Sequence, residues 1–206
     1  MINWKRAKKY WLRVYQSKRY GSPEKVQEAK SFVQKYASKI RWAKTICELG
    51  VGDGKHLHFF LEKYPNKKYC GNDFNPKVCS LVEKSYPDVF KKCDIMNKST
   101  DKYLKGCLQY VDVIFTYNHL MYVPEEGIDR ICSKISHVTG KYLLFREIYT
   151  PIKYNDLDKK SFLSFGFGRD YQKKFCEFEL KNRYVETINI SNKYVEFHTY
   201  FFKRIG

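Results

Sequence analysis

The chain is short of acid, of long apolar runs and of paired cysteines, and each shortage excludes a class of protein. Its 206 residues hold 22 Asp+Glu against 39 Lys+Arg, a formal net charge of +17. No apolar run approaches the roughly 20 residues of a membrane helix, and the basic, aromatic N-terminal segment lacks the apolar stretch of a secretory leader. Neither a membrane span nor a signal peptide is expected, which points to the cytoplasm. The seven cysteines, at 47, 70, 79, 93, 107, 132 and 176, include no Cys-x-x-Cys pair and make an odd total. They read as reduced core residues, not a disulfide framework. A metal is not expected either, because His56 and His58, two apart on a helix, point to different faces. Internal repeats and low-complexity linkers are absent. At 43% hydrophobic and 17% aromatic, a chain of this length buries roughly 70% of its unfolded surface around one core.

The strongest positive feature is Thr45-Ile46-Cys47-Glu48-Leu49-Gly50-Val51-Gly52-Asp53-Gly54, a short β-type run joined to three alternate glycines and then to an apolar helix. Glycine admits positive φ and the close approach of a ligand, and the next helix presents unpaired N–H groups at its start. After a helix over Lys55–Tyr64, a second strand, Lys68–Phe74, places Asp73 about 20 residues past the glycines, where a ribose diol is gripped. A third, Val89–Ile95, ends in Asp94 and Ile95, an acid for an exocyclic amine beside an aliphatic surface for a purine. Val111–Tyr117 is the fourth strand and Lys141–Glu147 the fifth, with helices between.

Taken in order, Glu48-x-Gly50-x-Gly52-x-Gly54, Asp73, Asp94 and the run Val111–Pro124 resemble class I S-adenosylmethionine-dependent methyltransferases over roughly residues 44–150. The run Asp112–Tyr149, with Thr150-Pro151 and Phe167-Gly168-Arg169-Asp170-Tyr171, is loosely similar to methylases associated with pseudaminic acid and other surface-sugar biosynthesis. Those enzymes carry a histidine where this chain has Tyr122; its own histidine stands at 119. The resemblance implies an α/β, doubly wound, Rossmann-like, seven-stranded and mostly parallel sheet, with a C-terminal antiparallel hairpin and a helical N-terminal arm. It implies S-adenosylmethionine held by Glu48, Gly50, Gly52, Gly54, Asp73, Phe74, Asp94, Ile95, Tyr117 and Asn118, with Tyr15 and Tyr20 closing from the arm. The rival reading, a dinucleotide dehydrogenase, spaces its last two glycines three apart for a pyrophosphate. Here Glu48 and Asp53 flank the loop, and carboxylates suit a sulfonium and an amino group.

Organisation follows from the same signals. Residues 1–42 read as a helical arm or lid, broken at Tyr20–Glu24, where Ser22 caps and Pro23 begins a helix running from Glu24 to Tyr36. Residues 43–206 read as the Rossmann-like domain. Asp170–Lys181 is helical in pattern, and Arg183–Ile190 and Tyr194–Lys203 flank a Ser191-Asn192 turn as an antiparallel pair.

Ligands in doubly wound folds sit beyond the carboxyl ends of the strands. His119, Glu147 and Tyr122 are therefore the expected catalytic residues, His119 by intrinsic pKa and Glu147 because an acid ending an apolar strand is costly to bury unpaired. Arg146, Tyr149 and Arg169 are expected to hold the acceptor. The fourth strand ends without the Asn- or Asp-Pro-Pro-aromatic sequence that grips a flipped base, and without the acid that ribose 2′-O-methyltransferases place there. A small, sugar-like or nucleotide-linked and anionic acceptor is expected first. An RNA methyltransferase comes second, and a catalytically silent binding subunit third. Of the 39 cations 30 are lysine, mostly scattered; the densest stretch, Trp4–Tyr15, suits an amphipathic helix on the domain or a nucleic-acid contact.

Overall fold

The computed structural model describes residues 22–106, 110–149, 168–176, 180–189 and 196–204. Its first helix, α1 (Pro23–Ala37), starts with proline in the first turn and buries Ala29, Phe32, Val33, Tyr36 and Ala37, a stripe at helical spacing. A 3₁₀ turn, Ser38–Ile40, leads to β1 (Thr45–Leu49). There follow α2 (Lys55–Lys63), β2 (Lys68–Asp73), α3 (Val78–Ser85), α4 (Pro87–Lys92), β3 (Cys93–Asn97) and α5 (Thr100–Lys105). The second half comprises β4 (Val111–Tyr117), a 3₁₀ turn at Leu120–Tyr122, α6 (Glu125–Val138), β5 (Thr139–Tyr149), α7 (Tyr171–Cys176), β6 (Leu180–Asn189) and β7 (Glu196–Arg204).

The seven strands form one sheet in the order β3-β2-β1-β4-β5-β7-β6. The five from β3 to β5 are parallel, while β7 runs antiparallel between β5 and β6. The order reverses between β1 and β4, the switch point of a doubly wound sheet. Alternation along each strand feeds two cores. Ile46, Val113, Phe115, Leu144 and Phe201 face α1, α2 and α3; Cys47, Ile114, Leu143, Phe145, Tyr200 and Phe202 face α6 and α7.

Two expectations change here. The partition at residue 42 does not hold for residues 23–40, because Phe32, Val33, Tyr36, Ala37 and Ile40 belong to the first core; the rest of the arm, with Trp4, Trp11, Tyr15 and Tyr20, lies outside the described residues. The third strand starts later than expected. Pro87 and Asp88 open a helix instead, and β3 begins at Cys93.

Candidate functional site

The carboxyl ends of β1, β2 and β4 and the starts of α5 and α6 enclose a cavity of about 510 Å³. Gly50, Asp73, Phe74, Tyr117, Asn118, His119 and Tyr122 line it, so the structure brings together seven of the residues predicted from sequence. Gly50 turns the chain out of β1 with φ +79°, and a Cβ there would lie 2.3 Å from His119 Nδ1. The side chain that requires a glycine is thus the histidine packed on the loop. Gly71 has a matching role in β2: its missing Cβ leaves room for Val51 and the carbonyl of Glu48. The loop docks there through bonds from the N–H groups of Gly50 and Val51 to the carbonyl of Asn72, at 2.9 and 3.1 Å.

Asp73, buried at the end of β2, accepts from Gly52 N at 3.1 Å and from Asn75 N at 2.9 Å. One carboxylate therefore holds both the glycine loop and the turn after β2. Asn118 has φ +52°, and its buried Oδ1 has no hydrogen-bond donor among the described residues. Both features fall on a residue that lines the cavity.

His119 is held by a relay. Asn72 Nδ2 donates to Thr100 Oγ1 at 3.3 Å, and Thr100 Oγ1 lies 2.6 Å from His119 Nε2. The threonine hydroxyl donates to Nε2 or accepts from it according to the tautomer, and in either case ties up that nitrogen. Burial pulls the histidine down to about 4. It is neutral at physiological pH, with Nε2 hydrogen-bonded to Thr100.

Glu147 is fully buried and does not line the cavity. Its Oε1 accepts from Thr116 Oγ1 at 2.8 Å and from the N–H groups of His119 and Leu120, both at 2.9 Å; Oε2 accepts from Met121 N at 3.1 Å. Burial raises its pKa while these four donors oppose the rise. The expectation of a general base is corrected to a clamp that shapes the turn after β4. Arg169 is likewise corrected from acceptor binding to bracing. Its guanidinium donates to the carbonyls of Leu120 and Val123, at 3.1 and 2.6 Å, and to Glu125 Oε2 at 2.8 Å.

Arg146 sits apart from that brace. It pairs across the sheet with Tyr117, stacks 4.8 Å over the Tyr117 ring and donates from Nη1 to the Tyr117 hydroxyl at 2.5 Å. Glu28 of α1 completes a triad, 2.6 Å from the same hydroxyl and 3.1 Å from Arg146. A second cavity of about 280 Å³ opens here, lined by Glu28, Lys35, Tyr36, Tyr117, Arg146 and Thr199 among others. Tyr117 borders both cavities.

Some expected residues lie elsewhere. Glu48 faces the core and pairs with His56 Nδ1 at 3.1 Å; burial pushes the acid well up and the imidazole well down. Gly54 caps α2 and packs on Val82. Asp94 is exposed near the start of β3, opposite Cys70, and Ile95 packs on the first core. Neither reaches the cavity, because β3 runs on to Asn97 and its carboxyl end delivers Ser99, Thr100 and Asp101 instead. These three, with Glu126 and Arg130 of α6, were missed; Pro87-Asp88, a helix start, was the available signal. Tyr149 ends β5 opposite Glu196, but its side chain, like Tyr15 and Tyr20, lies outside the described residues.

A family model described as a methyltransferase domain matches residues 46–141. No curated protein sequence matches the chain. Among solved structures, the N-methyltransferase NodS from Bradyrhizobium japonicum WM9, in complex with S-adenosylhomocysteine, is similar at a TM-score of 0.69 and 9% identity, covering 90% of each chain. Magnesium protoporphyrin IX methyltransferase from Synechocystis PCC 6803, with the same product bound, gives a TM-score of 0.67 and 12% identity, covering 87% of this chain and 83% of that one. An O-methyltransferase family protein from Burkholderia thailandensis gives 0.62 and 12%, covering 90% and 61%. At these identities the likeness is one of fold.

Proposed function

We propose that the chain is a class I, S-adenosylmethionine-dependent methyltransferase, a reading that the match of residues 46–141 to a methyltransferase-domain model supports, and that it methylates a small acceptor, sugar-like or nucleotide-linked, at an amine. The cofactor fits the larger cavity. Asn118 Oδ1 is a buried acceptor awaiting a donor, Asp73 is an acid for hydroxyl groups, and Phe74, Val123 and Ile131 offer apolar surface. Bound there, it supplies an electrophilic methyl group on a sulfonium. The protein's part is to fix the acceptor near that methyl and to exclude water.

The observation that carries the choice of an amine is the commitment of both expected bases. Glu147 has four donors, and His119 Nε2 is hydrogen-bonded to Thr100. An unprotonated amine is already nucleophilic and needs positioning alone. Arg146, with Lys35 beside it, supports an acceptor bearing a negative group in the second cavity, where Tyr117 brings it next to the first. The thiols of Cys47, Cys70, Cys79, Cys93 and Cys132, none of them in a disulfide among the described residues, support a reducing compartment such as the cytoplasm.

The test is a methyl-transfer assay with amino sugars, nucleotide-linked amino sugars, their hydroxyl counterparts and RNA. Turnover on the amino sugars, with His119→Asn losing less than about threefold in kcat at saturating cofactor, is the expected result; a true base would cost about 10²- to 10⁴-fold. Turnover confined to RNA would promote an RNA methyltransferase, and cofactor binding without turnover a silent subunit.

A further inference from the structure

At the amino ends of the strands, on the edge opposite the cofactor cavity, a groove of about 630 Å³ runs between the start of β1 and the end of α2. Lys44, Lys63 and Lys68 line it; all three are exposed, and none joins an ion pair among the described residues. Lys67 serves a different purpose. Its ammonium donates to the carbonyls of Arg41 and Ala43 and lies 4.6 Å over the Tyr64 ring. These bonds pin the backbone on both sides of Trp42, which directly precedes the groove-lining Ala43 and stands 72% exposed, with the Arg41 guanidinium 5.0 Å from its ring.

The acid nearest these strand starts does not neutralise the groove. Asp112 accepts from the backbone N–H groups of Lys44 and Thr45, at 2.6 and 3.2 Å, and pairs with Lys141 at 3.1 Å. Further along the same edge, exposed Lys91 and Lys92 precede β3. Lysines scattered by composition alone would not be expected to collect in one concavity next in sequence to a solvent-facing indole on a pinned backbone.

We infer that this groove binds single-stranded nucleic acid, the lysines taking backbone phosphates and Trp42 stacking a base. A concave, basic track with an aromatic platform is how such strands are held without sequence readout. A bilayer surface would instead require a flat or convex basic face. The site is separated from the cofactor cavity by the length of β1, five residues at ~3.3 Å each. It depends on neither the cofactor nor the acceptor reading.

The experiment is fluorescence anisotropy on the full chain with labelled oligouridylate and oligothymidylate of about 12 nucleotides, across a salt series. The groove triple variant, Lys44→Glu, Lys63→Glu and Lys68→Glu, is compared with Lys30→Glu, Lys102→Glu and Lys173→Glu, which change net charge equally at exposed positions elsewhere. The groove variant is expected to lose more than tenfold in affinity and to flatten the salt slope by about 2, three contacts at about 0.7 each. The control should stay within about twofold. Trp42→Ala, which removes no buried contact, should lose roughly fivefold or more. Circular dichroism and urea unfolding monitor folding in each variant. Equal losses in the two triple variants, unchanged binding in Trp42→Ala, or binding to phosphatidylglycerol vesicles but to neither oligonucleotide would overturn the inference.

Discussion

Glu147 and His119 illustrate how a side chain suited to chemistry can be taken up by structure. A glutamine at 147 keeps the volume but exchanges an acceptor oxygen for a donating NH₂, which then meets backbone N–H groups that point at it. Glu147→Gln should therefore cost about 2–3 kcal/mol in urea unfolding, the range for a broken buried network. A base would lose rate with stability unchanged, so an unaltered urea midpoint would restore the catalytic reading. His119 makes a prediction with a sign. Its folded pKa lies near 4, below the ~6.5 of an unfolded imidazole. The unfolded chain thus binds the extra proton between those values. The stability contributed by neutral His119 is complete above about pH 6.5 and is lost as pH falls towards 4. His119→Asn should consequently be closer to the unmutated chain in urea midpoint at pH 5 than at pH 7.5; a constant difference would mean that the ring is not held neutral.

Helix α1 shows what sequence reading at the level of elements gets right and wrong. Its stripe was legible, since Ala29, Phe32, Val33, Tyr36 and Ala37 recur at helical spacing, but a stripe does not say whether it covers a lid or a core. The answer comes from the partners, Phe115 on β4 and His56 and Phe60 on α2, which share rings or core with Phe32. Phe32→Ala should destabilise the domain by about 3–5 kcal/mol, and deletion of residues 1–40 should leave no cooperatively folding sheet by circular dichroism. A folded truncation that binds cofactor poorly would restore the lid. The third strand fails for a related reason. Val89 and Phe90 read as β-formers, yet Val89 is buried from a helical turn, because Pro87 fixes the local backbone and propensity in so short a run is overridden by packing. Starting the strand four residues later and ending it two later moved the expected contacts from Asp94 to Ser99, Thr100 and Asp101. Strands β1, β2 and β4 carried continuous apolar or glycine-punctuated patterns, and their cavity residues Gly50, Asp73 and Tyr117 were legible for that reason.

The cofactor cavity and the lysine groove lie at opposite ends of the strands of one sheet, and the cofactor end draws on both halves of the fold. Its cavity is lined from β1 and β2 on one side of the switch point, and from β4 and α6 on the other. A ligand bound there touches both halves and so must be lost when the sheet unfolds as a unit. S-adenosylhomocysteine at 100 times its dissociation constant should accordingly contribute about 2.7 kcal/mol, which raises Tm by roughly 5–11 °C for a chain of this size. Asp73 is the point at which this coupling can be cut. Its carboxylate holds the Gly52 loop from β1 and the Asn75 turn from β2, so Asp73→Ala removes a ligand contact and slackens the loop that forms the cavity wall. Calorimetry should show binding weakened by roughly 2–3 kcal/mol, and at the same ligand concentration most of the Tm gain should vanish. A full Tm gain in Asp73→Ala would place the ligand away from the strand ends, whereas a normal gain in the groove variants is required, because their lysines lie at the opposite end.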